Sequence, residues 1–215
     1  MTATRRERKT NHRTRVGRER SARTETKILA AALGVFAEKG PDAPKIDDFV
    51  AAAGISRGTF YNHFDSVDAL RTATSAWTTR ERIRSIERAL DPLEGPVLRF
   101  GVGLRLFFAA AQADRVWSLF VARVWNMDGL ELPVRDLEEG FRRGLFRAPS
   151  LDAMRDVLFG AVREALLRIG SGGGSRDYGD EVSALCLQAL GAEARRIAAV
   201  MRHPLPALEP AEVET

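Results

Sequence analysis

Apolar residues recur three and four apart through almost all of this chain, the spacing that lines them up on one face of an α-helix. Ile28, Leu29, Ala32, Leu33, Phe36 and Ala37 form one such face, and Gly40-Pro41 ends it. Ile46, Phe49, Val50 and Ala53 form a second, and Phe60 and Phe64, four apart, a third. Ser66 suits the N-cap of a long helix over 66–90, which closes before Asp91-Pro92 and turns Leu70, Ala73 and Trp77 one way. After the turn-forming Leu93-Glu94-Gly95-Pro96, the pattern predicts helices over about 97–113, 114–126, 131–146, 151–170 and 179–190, and a last one to about Met201. The expected fold is all-α.

The stretch from Asp48 to Phe64 has the form of a helix, a glycine turn and a short second helix, which is the shape of a helix-turn-helix DNA reader. Gly54 stands where a helix end takes a left-handed residue, and glycine does so without a Cβ penalty. Ile55 is placed to fill the wedge between the helices, and Ser56 to cap the second one. Gly58 early in that helix costs about 1 kcal/mol against alanine; close approach to another surface explains it. With Phe60 and Phe64 turned inward, Arg57, Thr59, Tyr61, Asn62 and His63 are left outside, and all can reach phosphates or base edges. A helical hairpin packed in a core fits less well, because too many polar side chains crowd a short exposed helix.

Two segments carry a resemblance. Thr26-Lys27-Ile28-Leu29-Ala30-Ala31-Ala32-Leu33-Gly34-Val35-Phe36-Ala37-Glu38-Lys39-Gly40 and Ala53-Gly54-Ile55-Ser56-Arg57-Gly58-Thr59-Phe60-Tyr61-Asn62-His63-Phe64 resemble the DNA-binding domain of TetR-type (tetracycline-repressor-like) transcriptional regulators, over about residues 23–71. The resemblance implies that Thr59, Tyr61 and His63 face DNA, with Arg57 and Gly58 at the groove. It also implies a helical C-terminal domain that binds an effector and forms the homodimer. The chain departs from the family at two places. Ala43-Pro44-Lys45 brings no hydroxyl into the second helix, although proline suits a first helical position and Lys45 can assist at the DNA. Val67 stands where the family usually has a lysine, so a phosphate contact is missing.

Charge adds a further feature. Residues 1–20 hold eight Lys/Arg against Glu7 and Glu19, a net +6 in a chain whose total is +4, so the other 195 residues sum to −2. Residues 21–65 carry five Lys/Arg and six Asp/Glu, too few cations for a DNA reader acting alone. The expectation is a disordered basic arm over 1–20 that follows the DNA backbone or enters a minor groove; a solubilising tail is the plainer reading. The domains are then 1–20 arm, 21–70 helix-turn-helix domain, 71–203 helical effector-binding and dimerisation domain, and 204–215 flexible tail. No apolar run follows the arm as in a secretory signal, and no uncharged stretch approaches the ~18 residues of a membrane span. The single cysteine, Cys186, allows no intramolecular disulfide, and sits among leucines as a core residue. The expected compartment is the cytoplasm, and 29 arginines against four lysines point to a high-GC bacterial source.

Aromatics concentrate in residues 97–146. Each alone is ordinary core; together they can wall an apolar cavity. The expected effector site is Arg105, Phe108, Gln112, Trp117, Phe120, Trp125 and Phe141, with Arg105, Phe108 and Gln112 on one helical face. The helices over 151–170 and 179–190 are expected to form a four-helix homodimer interface, with Ala165→Glu splitting it, and so to call for a near-palindromic operator. The run Gly170–Ser175 lacks the strand before it and the ending of a phosphate loop, and reads as a helix–helix connection.

An enzyme is not expected, nor a cofactor. His12, His63 and His203 are too scattered for a metal set, and no nucleophile elbow or dinucleotide fingerprint is present. The reading is a DNA-binding repressor released by a small, mostly apolar effector. The alternative is an architectural or effector-independent DNA binder, against which the aromatic-rich second domain argues.

Overall fold

The computed structural model describes residues 3–124 and 134–208. Among these the backbone forms ten helices: α1 Ala3–Lys39, α2 Ile46–Ala53, α3 Arg57–Tyr61, α4 Val67–Leu90, α5 Pro96–Ala113, α6 Arg115–Arg123, α7 Arg135–Arg142, α8 Leu151–Gly170, α9 Tyr178–Ala189 and α10 Ala194–Arg202. The expected all-helical order holds. Two details differ. Helix α1 runs unbroken from Ala3, so the basic stretch expected as a disordered arm lies on helical backbone. Pro44 precedes the N-cap Lys45 and is buried there, instead of taking the first helical position of α2.

The N-terminal head is α1–α3 joined by a chain of rings. Phe36 of α1 meets Phe49 of α2 at 4.9 Å, Phe49 meets Phe60 of α3 at 6.4 Å, and Phe60 meets Phe64 at 6.2 Å. All four are buried. Local chemistry sets the helix ends. The Lys45 N–H donates to the Asp48 carboxylate at 2.8 Å, which is half of a capping box, since lysine has no acceptor to complete it. Gly54 ends α2 at φ +57°. Ser56 Oγ accepts from the Thr59 N–H at 3.0 Å to start α3, and Ser66 Oγ from the Ala69 N–H at 3.0 Å to start α4.

The larger body is built around α5, which packs against α4, α7, α8, α9 and α10. Gly101 lets α10 come close: a Cβ there would lie 2.6 Å from Val200 Cγ1 and 3.2 Å from Leu187 Cδ1. Gly101→Ala is therefore expected to cost about 1–3 kcal/mol, as overpacking of a filled core does, and a urea melt reads the loss directly.

Head and body share a boundary. Helix α6 lies between α1 and α8. Phe120 of α6 faces Phe36 of α1 at 6.1 Å, both rings fully buried. Beside them Arg123 Nη1 donates to the Glu38 carbonyl at 2.5 Å. The loop after α8 is the expected helix–helix connection. Gly172 and Gly174 take positive φ, and Gln112 Nε2 donates to the Ser175 and Arg176 carbonyls at 3.2 and 3.1 Å.

Candidate nucleic-acid interface and effector cavity

Helix α3 is only five residues long and buries Phe60. Its opposite side is open. Ser56, Arg57, Gly58 and Tyr61 are exposed, Thr59 is half-buried, and Lys45 at the start of α2 is exposed as well. Tyr61 meets Phe60 edge to face, ring centroids 5.6 Å apart, and is itself exposed. Thr59 Oγ1 shares a hydrogen bond with Ser56 Oγ at 2.9 Å, which fixes its rotamer. Of the seven residues expected at DNA, Lys45, Ser56, Arg57, Gly58 and Tyr61 are thus exposed and Thr59 is half-buried.

His63 does not join them fully. Its side chain is only 10 % exposed, with Nδ1 4.0 Å from Glu25 Oε2 and its ring against Phe64. Helix α1 covers it, which the local spacing in 57–64 cannot show.

Arg57 is not an unattached fork. Its Nε and Nη2 both donate to the Asp47 carboxylate, at 2.6 and 2.5 Å. This bond holds the Asp47 carboxyl below its ordinary range. Asp47 is the partner of Arg57 that sequence reasoning passed over, because an acid at a helix start is already explained by the helix dipole. The signal lay in the neighbour. Asp48 alone serves the cap, accepting from the Lys45 N–H and pairing with Lys39 Nζ at 2.6 Å, and its carboxyl is lowered by that lysine. Asp47 is surplus to the cap.

In the body, an apolar cavity of about 80 Å³ opens between α4, α5, α7 and α8. Ile83, Ile86, Leu90, Phe100, Leu104, Phe107 and Leu158 make its wall, and Glu87, Arg99 and Asp136 its polar end. Arg99 Nε donates to Asp136 Oδ2 at 3.1 Å and its Nη1 to the Leu90 carbonyl at 2.5 Å.

Of the seven residues expected at the effector, none of the six described ones lines this cavity. Arg105 is committed elsewhere: 7 % exposed, it donates from Nε and Nη2 to Asp180 at 2.8 and 2.9 Å, and from Nη1 to the Val200 and His203 carbonyls at 2.8 and 2.7 Å. Gln112 holds the loop after α8. Phe108 and Phe120 are fully buried packing. Trp117 is buried against Phe107 at 5.3 Å under the Arg82 guanidinium, and its Nε1–H has no partner among the described residues. Phe141 is half-buried against the core, and Trp125 lies outside the described residues. The reason is helical rotation. Residues 100, 104 and 107 of α5 face the cavity, whereas 101, 105, 108 and 112 face α9, α10 and the glycine loop.

Cys186 is buried, and desolvation pushes its thiol up to about 11, so it stays protonated and inert as expected of a core residue. Val157 on α8 and Leu185 on α9 are exposed, at 55 % and 62 %. Ala165 is 2 % exposed and faces the protomer's own core, so Ala165→Glu would damage the fold before it tested a dimer. Among the described residues, no helix is long and apolar enough to cross a membrane, and no group of three metal-binding side chains is gathered.

Known proteins agree with this geometry. The profile of bacterial regulatory proteins of the tetR family matches residues 28–74. The helix-turn-helix transcriptional regulator CymR of Pseudomonas putida is 42 % identical over 168 residues, covering 70 % of this chain and 81 % of that protein. The solved structure of RolR in complex with resorcinol shares the fold at a TM-score of 0.62 and 23 % identity, over 89 % of this chain and 99 % of that one. TylP, a TetR regulator from Streptomyces fradiae, does so at 0.54 and 22 %, over 84 % and 92 %.

Proposed function

Because the chain belongs to the tetR family of bacterial regulatory proteins, we propose that it is a homodimeric repressor whose hold on a near-palindromic operator is released by a small, mostly apolar effector. The observation that carries this reading is the cavity along α4. The helix that supplies Ile83, Ile86, Glu87 and Leu90 to its wall begins at Val67, three residues past the end of the DNA-reading motif. A ligand that shifts α4 shifts the head.

DNA contact falls to Lys45, Ser56, Arg57, Gly58, Thr59 and Tyr61, with residues 1–20 adding salt-dependent phosphate attraction. The exposed Val157 and Leu185 support α8 and α9 as the face where two protomers meet. That face would set two α3 helices about 34–36 Å apart, one turn of DNA. An effector that binds the operator-incompetent arrangement more tightly weakens DNA binding by that preference and no more.

The cavity favours a compact ligand. At about 80 Å³ it is well below the ~300–1,000 Å³ typical of drug-sized sites. A protein of the same fold holds resorcinol, a single aromatic ring. The polar end at Glu87, Arg99 and Asp136 offers both donors and acceptors to a substituent on such a ring.

The test uses a duplex recovered by selection from a random library and a panel of single-ring aromatic compounds. Ile83→Phe is expected to fill the cavity and raise the concentration needed for release by about tenfold, the worth of one well-placed apolar group. Equal potency against Ile83→Phe and wild type would move the effector elsewhere.

A further inference from the structure

We propose that Asp47 is a specificity-determining residue: it holds the Arg57 guanidinium edge-on so that its free end reads a guanine in each half-site. The inference rests on the DNA-reading function above and adds a residue and a base to it.

The geometry decides which donors remain. A guanidinium has five N–H groups. Asp47 takes the Nε–H and one Nη2–H, at 2.6 and 2.5 Å, the side-on pairing that fixes the plane of the group. Three donors are left. Two of them, one on Nη1 and one on Nη2, point in parallel from the tip. That pair matches the O6 and N7 acceptors of guanine in the major groove. Asp47 therefore uses the edge that guanine does not need.

Placement supports it. Asp47 is in the first turn of α2 and Arg57 is the first residue of α3, so the pair bridges the two helices of the motif on its open face. Both side chains are exposed, as are Lys45 and Tyr61. An exposed ion pair adds little to folding stability, and a carboxylate on a surface that must approach phosphates opposes binding. Asp48 already serves the helix start. What Asp47 offers in return is orientation: a long side chain whose plane is set before DNA arrives loses less freedom on binding. Its spare lone pairs can also accept from a cytosine N4 or adenine N6 on the next base pair.

The experiment is selection from a randomised duplex library by the full chain, by Asp47→Ala, by Asp47→Asn and by Arg57→Ala, with counts read at every position. Wild type is expected to enrich a two-fold motif with a guanine in each half. Asp47→Ala is expected to lower the preference for that guanine about tenfold, within the range of one bidentate contact, while binding to unrelated DNA strengthens as a negative charge is lost. Asp47→Asn, which keeps the shape with a weaker acceptor, falls between. In the Arg57→Ala background, Asp47→Ala is expected to change nothing further at that position. A wild type that enriches no motif overturns the DNA-reading function and the inference with it. A wild-type motif that Asp47→Ala enriches with the same base frequencies overturns the inference alone, and shows Asp47 to be only a brake on phosphate attraction.

Discussion

Asp180→Ala is expected to lower the stability of the folded protein by about 3 kcal/mol, the low end of what stranding a buried charge costs. Arg105 is 7 % exposed, and Asp180 supplies the only anion it touches among the described residues. Two carbonyls, of Val200 and His203, remain to the cation after the change, and Asp180 itself is 39 % exposed. Both facts keep the cost from the top of the range. The pair ties α5 to α9, and the carbonyls tie it to α10, so three elements loosen together. Adding Arg105→Met to Asp180→Ala removes the stranded cation and is expected to be milder than Asp180→Ala alone. Urea midpoints of the two variants read the order; a wild-type midpoint for Asp180→Ala would mean that the pair holds nothing.

If α8 and α9 form the proposed dimer face, Leu185→Glu is expected to separate the protomers and cut operator affinity by about 10²–10⁴, the gain that linking two weak sites provides. Leu185 is 62 % exposed in the protomer, so the change should leave the monomer's own stability within about 0.5 kcal/mol. Two glutamates facing each other across a two-fold axis would meet in an apolar interface and remain unpaired there. Val157→Glu on α8 should act in the same way. Sedimentation gives the mass and a DNA titration the affinity. A Leu185→Glu protein that stays dimeric would place the interface off α9.

What could be read before the fold was known was local. Gly54, Ser56 and Ser66 act on backbone groups within a few residues, and each sits in the cap or turn that its chemistry requires. Helix order was legible for the same reason. The cavity was not, because α5 is apolar on two sides. Periodicity finds both stripes but cannot tell which one meets space: the stripe with Arg105 and Phe108 is packed solid, and the one with Leu104 and Phe107 borders the cavity. Partners distant in sequence were equally hidden. Asp180 lies 75 residues from Arg105, and Glu25 covers His63 from another helix. Asp47 is only ten residues from Arg57, yet its place at a helix start already had a sufficient explanation.

The meeting of Phe36 and Phe120 bears on how such a protein can be re-engineered. A cut after the reading motif would leave one side of Phe36 bare to water and the Glu38 carbonyl without its arginine. The head is therefore not a cassette. A chimera that carries residues 21–70 onto a foreign body must bring a ring at the place of Phe120 as well, or accept a head that melts before its host. By the same logic, natural recombination at this boundary would be tolerated only between chains whose α6 faces already match.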